Sequence, residues 1–329
     1  MNKLVMVFIL VYSGGVSAGS FIFAGEANGV DIIAHPTGYD GVVDVVNVSV
    51  CIDPTGDETT LLESPVKNIV TTFNNLRSES GNIISGSANN IPSGALDWES
   101  VALHEVGHCL GLAHPNLGSQ TGVSGANTNF TASTDGADNA FDFDDGADNI
   151  KGTSDDLRDD DINLHWYNTG INNPFVLTPP YDSSNYSRTL AGLPGGHTYV
   201  TNASLEASSS LGAPSSEAVM QQGSRSNEDQ RELGADDEAT LRYAMSGVDQ
   251  TSGTADDYTF NLTYGGITTG CDIMIKHHDI SGLAFCSVGG SFISGSSIQI
   301  TGASIEIDAP DFTWFFNDVI FKDDNDDPD

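Results

Sequence analysis

His104 and His108 stand four residues apart in the run His104-Glu105-Val106-Gly107-His108-Cys109-Leu110-Gly111-Leu112-Ala113-His114. On a helix that spacing stacks both imidazoles on one face, where a single metal ion can take them. Glu105 adjoins His104 but is turned about 100° round the helix. It can therefore hold a water beside the metal without becoming a ligand. Gly111 can adopt a left-handed conformation that ends the helix. The chain can then turn back and bring His114 to a third position. Three neutral imidazoles with one open position are the donor set of a catalytic zinc.

Few elements are readable ahead of this run. Its helix is expected to begin near Asp97 or Trp98. Val42 to Ile52 is β-branched and alternates through Val46, Val48 and Val50, which predicts a strand. Glu63 to Leu76 predicts a helix with Ser64 as cap, Pro65 in the first turn, and Val66, Ile69, Val70 and Phe73 on one face. Residues 77–96 are rich in Ser, Asn and Gly.

The histidine run resembles the extended zinc signature of the metzincin metallopeptidases, H-E-x-x-H-x-x-G-x-x-H, at all five fixed positions. The resemblance covers about residues 40–248. It implies an α+β catalytic domain, a zinc helix plus a mixed sheet, within residues 19–250. It implies zinc on His104, His108 and His114, Glu105 as the general base, and a protein or peptide substrate. It also implies a Met-containing turn beneath the zinc, matched by Met220 in Glu217 to Gly223. Met245 lies inside the helix expected over Asp236 to Ser246 and reads as core. Gln222 stands where some metzincins carry a tyrosine. Pro115 after His114 resembles the serralysin pattern, yet the Gly-rich nonapeptide repeats of serralysins are missing. The Met220 segment and its following helix look more like matrixins. Metzincins place several strands ahead of the zinc helix, including an edge strand that binds substrate. Here one is found, so the others are either short or supplied later.

Charge separates this chain from whole classes of partner. Of 329 residues, 46 are acidic and 11 basic, a net charge of −35. Such a surface repels nucleic acid and anionic membranes and suits divalent cations and saline surroundings. Lys3, the apolar run Leu4 to Tyr12 and the small residues Val16-Ser17-Ala18 read as a secretory signal over residues 1–18, with Gly19 opening the mature chain. No other segment is long and apolar enough for a membrane span. A secreted, extracellular protein is thus expected, and its four cysteines are expected to form disulfides. Of the three possible pairings, Cys271–Cys286 is favoured because both lie in one strand-rich region, which leaves Cys51–Cys109.

Residues 135–161 hold eleven Asp against Lys151 and Arg158, with DGADN occurring twice. Crowded carboxylates repel one another, and a hard cation binding several at once relieves this. Asp144, Asp148, Asp155 and Asp156 are the candidate calcium ligands. The spacing is not that of an EF-hand loop; the bland alternative is a solvated acidic loop. His165 and His197 read as structural or surface residues.

Gly247 to Thr254 reads as a linker. Beyond it, β-type runs over 258–263, 272–275, 297–300, 303–307 and 312–316 predict a small antiparallel sandwich-like domain over residues 255–329. That domain would bind a matrix, glycan or cell surface, or only stabilise the rest. His277-His278 is a weak metal pair, because strand neighbours face opposite ways. The tail DDNDDPD reads as disordered. The leading expectation is a secreted zinc metalloendopeptidase. Its rivals are a non-catalytic, calcium- and zinc-stabilised surface-binding protein and a calcium-dependent adhesin; Glu105 discriminates, since a structural zinc site has no need of an acid there.

Overall fold

The computed structural model describes residues 21–24, 28, 32–115, 138, 140, 142–157, 167–171, 173, 175–176, 184–187, 205–221 and 223–320. The expected leader, His165, His197, Gln222 and the acidic tail lie outside them.

Five strands make a mostly parallel path, and a sixth strand closes one side. In chain order the long strands are β1 (Ile33–His35), β2 (Val45–Ile52), β8 (Thr259–Ile267), β9 (Ile273–His278), β10 (Ala284–Phe292) and β11 (Ser297–Asp308). β2 lies between β8 and β9, parallel to both. β9 runs parallel to the second half of β11, and β1 parallel to its first three residues. β10 alone is antiparallel; it pairs with the other edge of β11 and ends the sheet there. Two-residue strands β3 (Ile84–Ser85), β4 (Leu96–Asp97), β5 (Tyr167–Asn168), β6 (Tyr186–Ser187), β7 (Glu228–Asp229) and β12 (Trp314–Phe315) pair as β3 with β7, β4 with β12 and β5 with β6.

Helices α1 (Glu63–Asn75) and α2 (Trp98–Cys109) pack against each other and on the sheet, α1 over β8 and α2 over β10 and β11. The alternation in β2 explains why they lie on one face. Val46, Val48 and Val50 are buried under the helices, while Val45 and Asn47 are exposed. α1 presents Val66, Ile69, Val70 and Phe73 to that core, as its periodicity predicts. Its cap differs from expectation: Leu62 precedes the helix with no side-chain cap, and Ser64 lies within the first turn. The remaining helices are α3 (Leu205–Ser210) and α4 (Ala235–Met245). Among the described residues, no helix is long and apolar enough to cross a membrane.

The expected separate sandwich over 255–329 is not formed. Leu262, Ile273, Ile275, Ile300, Ile305 and Ile307 enter the same core as Val46, Val48, Phe73 and Val106. Four of the six long strands, β8 to β11, follow α2 in the chain. Alternation tells which side of a strand is apolar, not which strand lies beside it, and both partners of β2 lie about two hundred residues further along the chain.

The disulfides are also corrected. Cys51 joins Cys271 and Cys109 joins Cys286. Cys51 and Cys271 sit on or beside the paired strands β2 and β9, with Cα atoms 6.1 Å apart. Cys109, the last residue of α2, faces β10 and takes Cys286 at the same separation of 6.1 Å. Two disulfides fit an oxidising environment. They close 220 and 177 residues of chain, each worth about 5 kcal/mol in the chain-entropy model.

Non-reducing peptide mapping is expected to return these two pairs and no Cys271–Cys286 peptide. A chain ending at residue 250 lacks four of the six long strands and is expected to show no cooperative melting by circular dichroism. A cooperative transition in that fragment would restore the two-domain arrangement.

Candidate metal centre

α2 is capped by side chains at its start and by a backbone turn at its end. At its start, the Asp97 carboxylate accepts from the Ser100 backbone N–H at 3.0 Å and from the Ser100 hydroxyl at 2.6 Å, a standard N-cap. Arg231 then grips the same buried carboxylate with Nε at 2.9 Å and Nη2 at 2.7 Å, a two-point ion pair of fixed geometry. At its far end, the Leu112 N–H returns to the Gly107 carbonyl at 3.0 Å. Gly111 is left-handed there, with φ +114°. A Cβ on Gly111 would lie 2.8 Å from the Ala34 carbonyl oxygen of β1, so only glycine lets the helix end so close to the sheet. Phe21 bridges to Leu112, and two residues later His114 swings back over the helix.

The three imidazoles then converge. His114 Nε2 lies 3.1 Å from His104 Nε2 and 3.2 Å from His108 Nε2. The other ring nitrogens settle the tautomers. His104 Nδ1 meets the Val219 carbonyl at 2.7 Å and His108 Nδ1 meets the Leu112 carbonyl at 2.9 Å. A carbonyl only accepts, so both Nδ1 atoms carry the proton and both Nε2 atoms present lone pairs. Desolvation lowers the pKa of all three rings, that of His108 to about 3 with the neighbouring His104 adding to it, and that of His114 well below the usual range. They stand neutral, the form that binds metal.

This geometry fits zinc. Tetrahedral ligands at about 2.0–2.1 Å from the ion lie about 3.3 Å from one another, close to the separations seen. Lone pairs facing at such distances repel unless a cation sits among them. The histidines are each only partly buried, which leaves room for a further ligand. A small cavity lined by Asp97, His104, Val219, Arg225, Glu228 and Gln230 adjoins His104.

Glu105 is 5 % exposed and lies on the β10 side of α2. The Cys286 backbone N–H of β10 lies near its carboxylate and favours the charged form. Its second oxygen, Oε2, is buried with no hydrogen-bond partner. Burial pushes the carboxyl up to about 8, opposed by the Cys286 N–H. A carboxyl raised this far has the high proton affinity of a group that takes up a proton and hands it on.

Met220 lies directly beneath α2, where its sulfur fills the place that a Cβ on Gly107 would take. The turn is held from below by Asp237 of α4. Asp237 accepts from the N–H groups of Val219 at 2.7 Å, Met220 at 3.2 Å and Gly234 at 2.7 Å. The turn in turn offers the Val219 carbonyl to His104. Asp237 and the Cys286 N–H were missed in the sequence. The available signal was the cluster of acids opening α4, read there only as helix-start charge.

The four acidic candidates come together elsewhere, in a closed loop. Asp144 and Leu157 exchange backbone hydrogen bonds at 2.7 Å and shut its neck. Within it Asp155 Oδ2 accepts from Ala147 N–H at 2.7 Å, Asp148 Oδ1 from Ile150 N–H at 2.8 Å and Asp156 Oδ2 from Gly152 N–H at 2.5 Å. The histidine pair of β9 is divided as expected: His277 is buried against Trp98, Trp314 and Phe316, while His278 faces Glu306 at 3.3 Å.

Comparison with protein-family models, curated proteins and solved structures finds no match to this chain.

Replacing Asp237 with Ala leaves three buried N–H groups without an acceptor and frees the carbonyl that orients His104. Stability is expected to fall by about 3 kcal/mol and zinc affinity by about 10- to 100-fold. Denaturant unfolding and competition with a zinc-chelating dye measure the two effects. Unchanged zinc affinity would separate the Met220 turn from the metal centre.

Proposed function

We propose that this chain is a secreted zinc-dependent metalloendopeptidase. The observation that carries the reading is one turn of α2 presenting two imidazole lone pairs towards His114, together with a buried carboxylate oxygen on Glu105 that has no hydrogen-bond partner among the described residues. A closed structural zinc site would spend its fourth position on a protein ligand, and Glu105 would have no purpose there.

Zinc in this donor set supplies a Lewis acid for the scissile carbonyl and makes water acidic enough to ionise near neutral pH. The chain's own groups do the rest. His104 and His108 keep Nε2 unprotonated through the bonds of their Nδ1 atoms to Val219 and Leu112. Glu105 takes a proton from the attacking water and returns it to the nitrogen of the breaking peptide bond. One water is consumed and one carboxylate and one amine are released. β10 ends the sheet beside α2, and an extended peptide laid along it would gain main-chain hydrogen bonds as an added strand. The Cys109–Cys286 disulfide keeps that strand at a fixed distance from the helix. Calcium on Asp144, Asp148, Asp155 and Asp156 belongs to the same reading, as an ion that rigidifies the 144–157 loop.

Glu105→Gln keeps an acceptor for the Cys286 N–H but removes the base. Peptide hydrolysis is expected to fall by about 10² to 10⁴, with zinc content and melting temperature unchanged. The assay is casein and a peptide library, wild type and variant side by side, with zinc measured on both. A zinc-loaded wild type that cleaves nothing would favour the zinc-stabilised surface-binding protein instead.

A further inference from the structure

The turn that ends α2 is gripped by a distant segment, Phe21-Ile22-Phe23-Ala24. The Ala24 N–H donates to the Phe21 carbonyl at 3.2 Å, and of the two residues between them Phe23 is left-handed, with φ +72°. That is the backbone of a type II β-turn, whose third position ordinarily takes glycine or asparagine. A phenylalanine held there is strained, and such strain persists only where the surroundings over-determine it.

The surroundings do so here. Phe21 is fully buried in the main core and forms an antiparallel bridge with Leu112. The Ile22 N–H donates to the Gly111 carbonyl at 2.9 Å. The Phe23 ring lies on Gly290 of β10, where a Cβ would come within 2.8 Å of it, and the Phe23 carbonyl accepts the Asn28 side-chain amide at 3.0 Å. Ala24 is buried with Ile32 and with Ile298 of β11. The turn therefore spans from the end of α2 to β10, the two elements that Cys109–Cys286 also joins.

What it grips is the backbone that delivers His114. A helix leaves its last carbonyls without intrahelical partners. Here the Gly111 carbonyl takes the Ile22 N–H, and the next carbonyl, that of Leu112, takes the His108 Nδ1 proton at 2.9 Å. Both follow the left-handed step at Gly111, φ +114°. Two residues on, His114 Nε2 comes within 3.1 Å of His104 Nε2 and 3.2 Å of His108 Nε2. A swing of the Gly111–Leu112 peptide would carry His114 away and turn the acceptor of His108. The Ile22 N–H opposes that swing from outside the helix.

We propose that residues 21–24 are a positioning clamp for the metal centre. The Ile22 N–H fixes the Gly111 carbonyl, and through it the approach of His114 and the tautomer of His108. This rests on the zinc reading of the three histidines and not on peptide hydrolysis. A chain that loses these residues by N-terminal trimming keeps every ligand and still binds zinc more weakly.

Ile22→Pro tests the clamp in the full chain. Proline suits the second position of a type II turn, and Phe21, extended in its bridge to Leu112, suits the residue before a proline. The turn is kept and the N–H is removed. Competition with a zinc-chelating dye is expected to show zinc affinity about 10-fold lower, with Ile22→Val, which keeps the N–H, at the wild-type value. Val66→Ala, buried in α1, is the control for general loosening: its melting temperature without zinc falls and its zinc affinity stays. Unchanged affinity in Ile22→Pro, or an equal loss in Val66→Ala, overturns the clamp. Amide hydrogen exchange on the unmutated protein is a second readout. Coupling between clamp and zinc is reciprocal, so zinc is expected to slow exchange at Ile22 by about the same 10-fold. Exchange at Ile22 that zinc leaves unaltered overturns the proposal, whether or not the proline variant folds. A wild type that binds no zinc removes the metal reading and the clamp with it. Both effects in a protein that cleaves no peptide leave the clamp standing and count against the peptidase alone.

Discussion

The bond from the His104 ring to the Val219 carbonyl, 2.7 Å long, is the contact on which the rest of the metal centre depends. A neutral imidazole has one proton. Placing it on Nδ1 is what leaves Nε2 as a lone pair, and a carbonyl in that position is what keeps it there. The carbonyl can be in that position only if the turn under α2 is fixed. Three N–H groups converging on Asp237 fix it, and Gly107 gives Met220 the space to lie against the helix. His108 needs no such remote support, because its acceptor, Leu112, belongs to the helix's own C-terminal turn. One imidazole is thus set locally and the other by a segment more than a hundred residues away.

The sheet carries the same division of labour. β2 reaches its neighbours only when the chain has been made as far as β9, and α2 finds its edge strand later still. Contacts so distant in sequence cost loop-closure entropy before any of them is rewarded. The two disulfides span these same closures and bind β2 to the β9 region and α2 to β10. The covalent links therefore stand where the non-covalent order is slowest to form.

What could be read in the sequence was local, and what could not was long-range. The helix of His104 and His108, its start at Asp97–Trp98 and the left-handed Gly111 after it are each decided within a few residues and stand where the sequence placed them; Met220, expected only from the family resemblance, lies against Gly107. β8, β9 and β11 were readable as strands, because alternation is local, but not as partners of β2. β10 was missed as a strand. Gly289 and Gly290 break its β-type pattern at a register shift, and Gly290 has no room for a side chain between Ile298 and Phe23. The cysteine pairing failed for the same reason, since nearness in sequence was taken for nearness in space.

A net charge of −35 makes compactness expensive, because like charges are drawn together on folding. The cost is greatest where carboxylates share one loop, and least where a backbone N–H or a cation faces each of them. At Asp97 the chain supplies its own cation, Arg231, 2.7 Å from the carboxylate that caps α2. At Asp237 it supplies N–H groups. In the loop over residues 144–157 it leaves Asp156 Oδ1 buried with no hydrogen-bond partner among the described residues, and Lys151 is the basic residue within that loop.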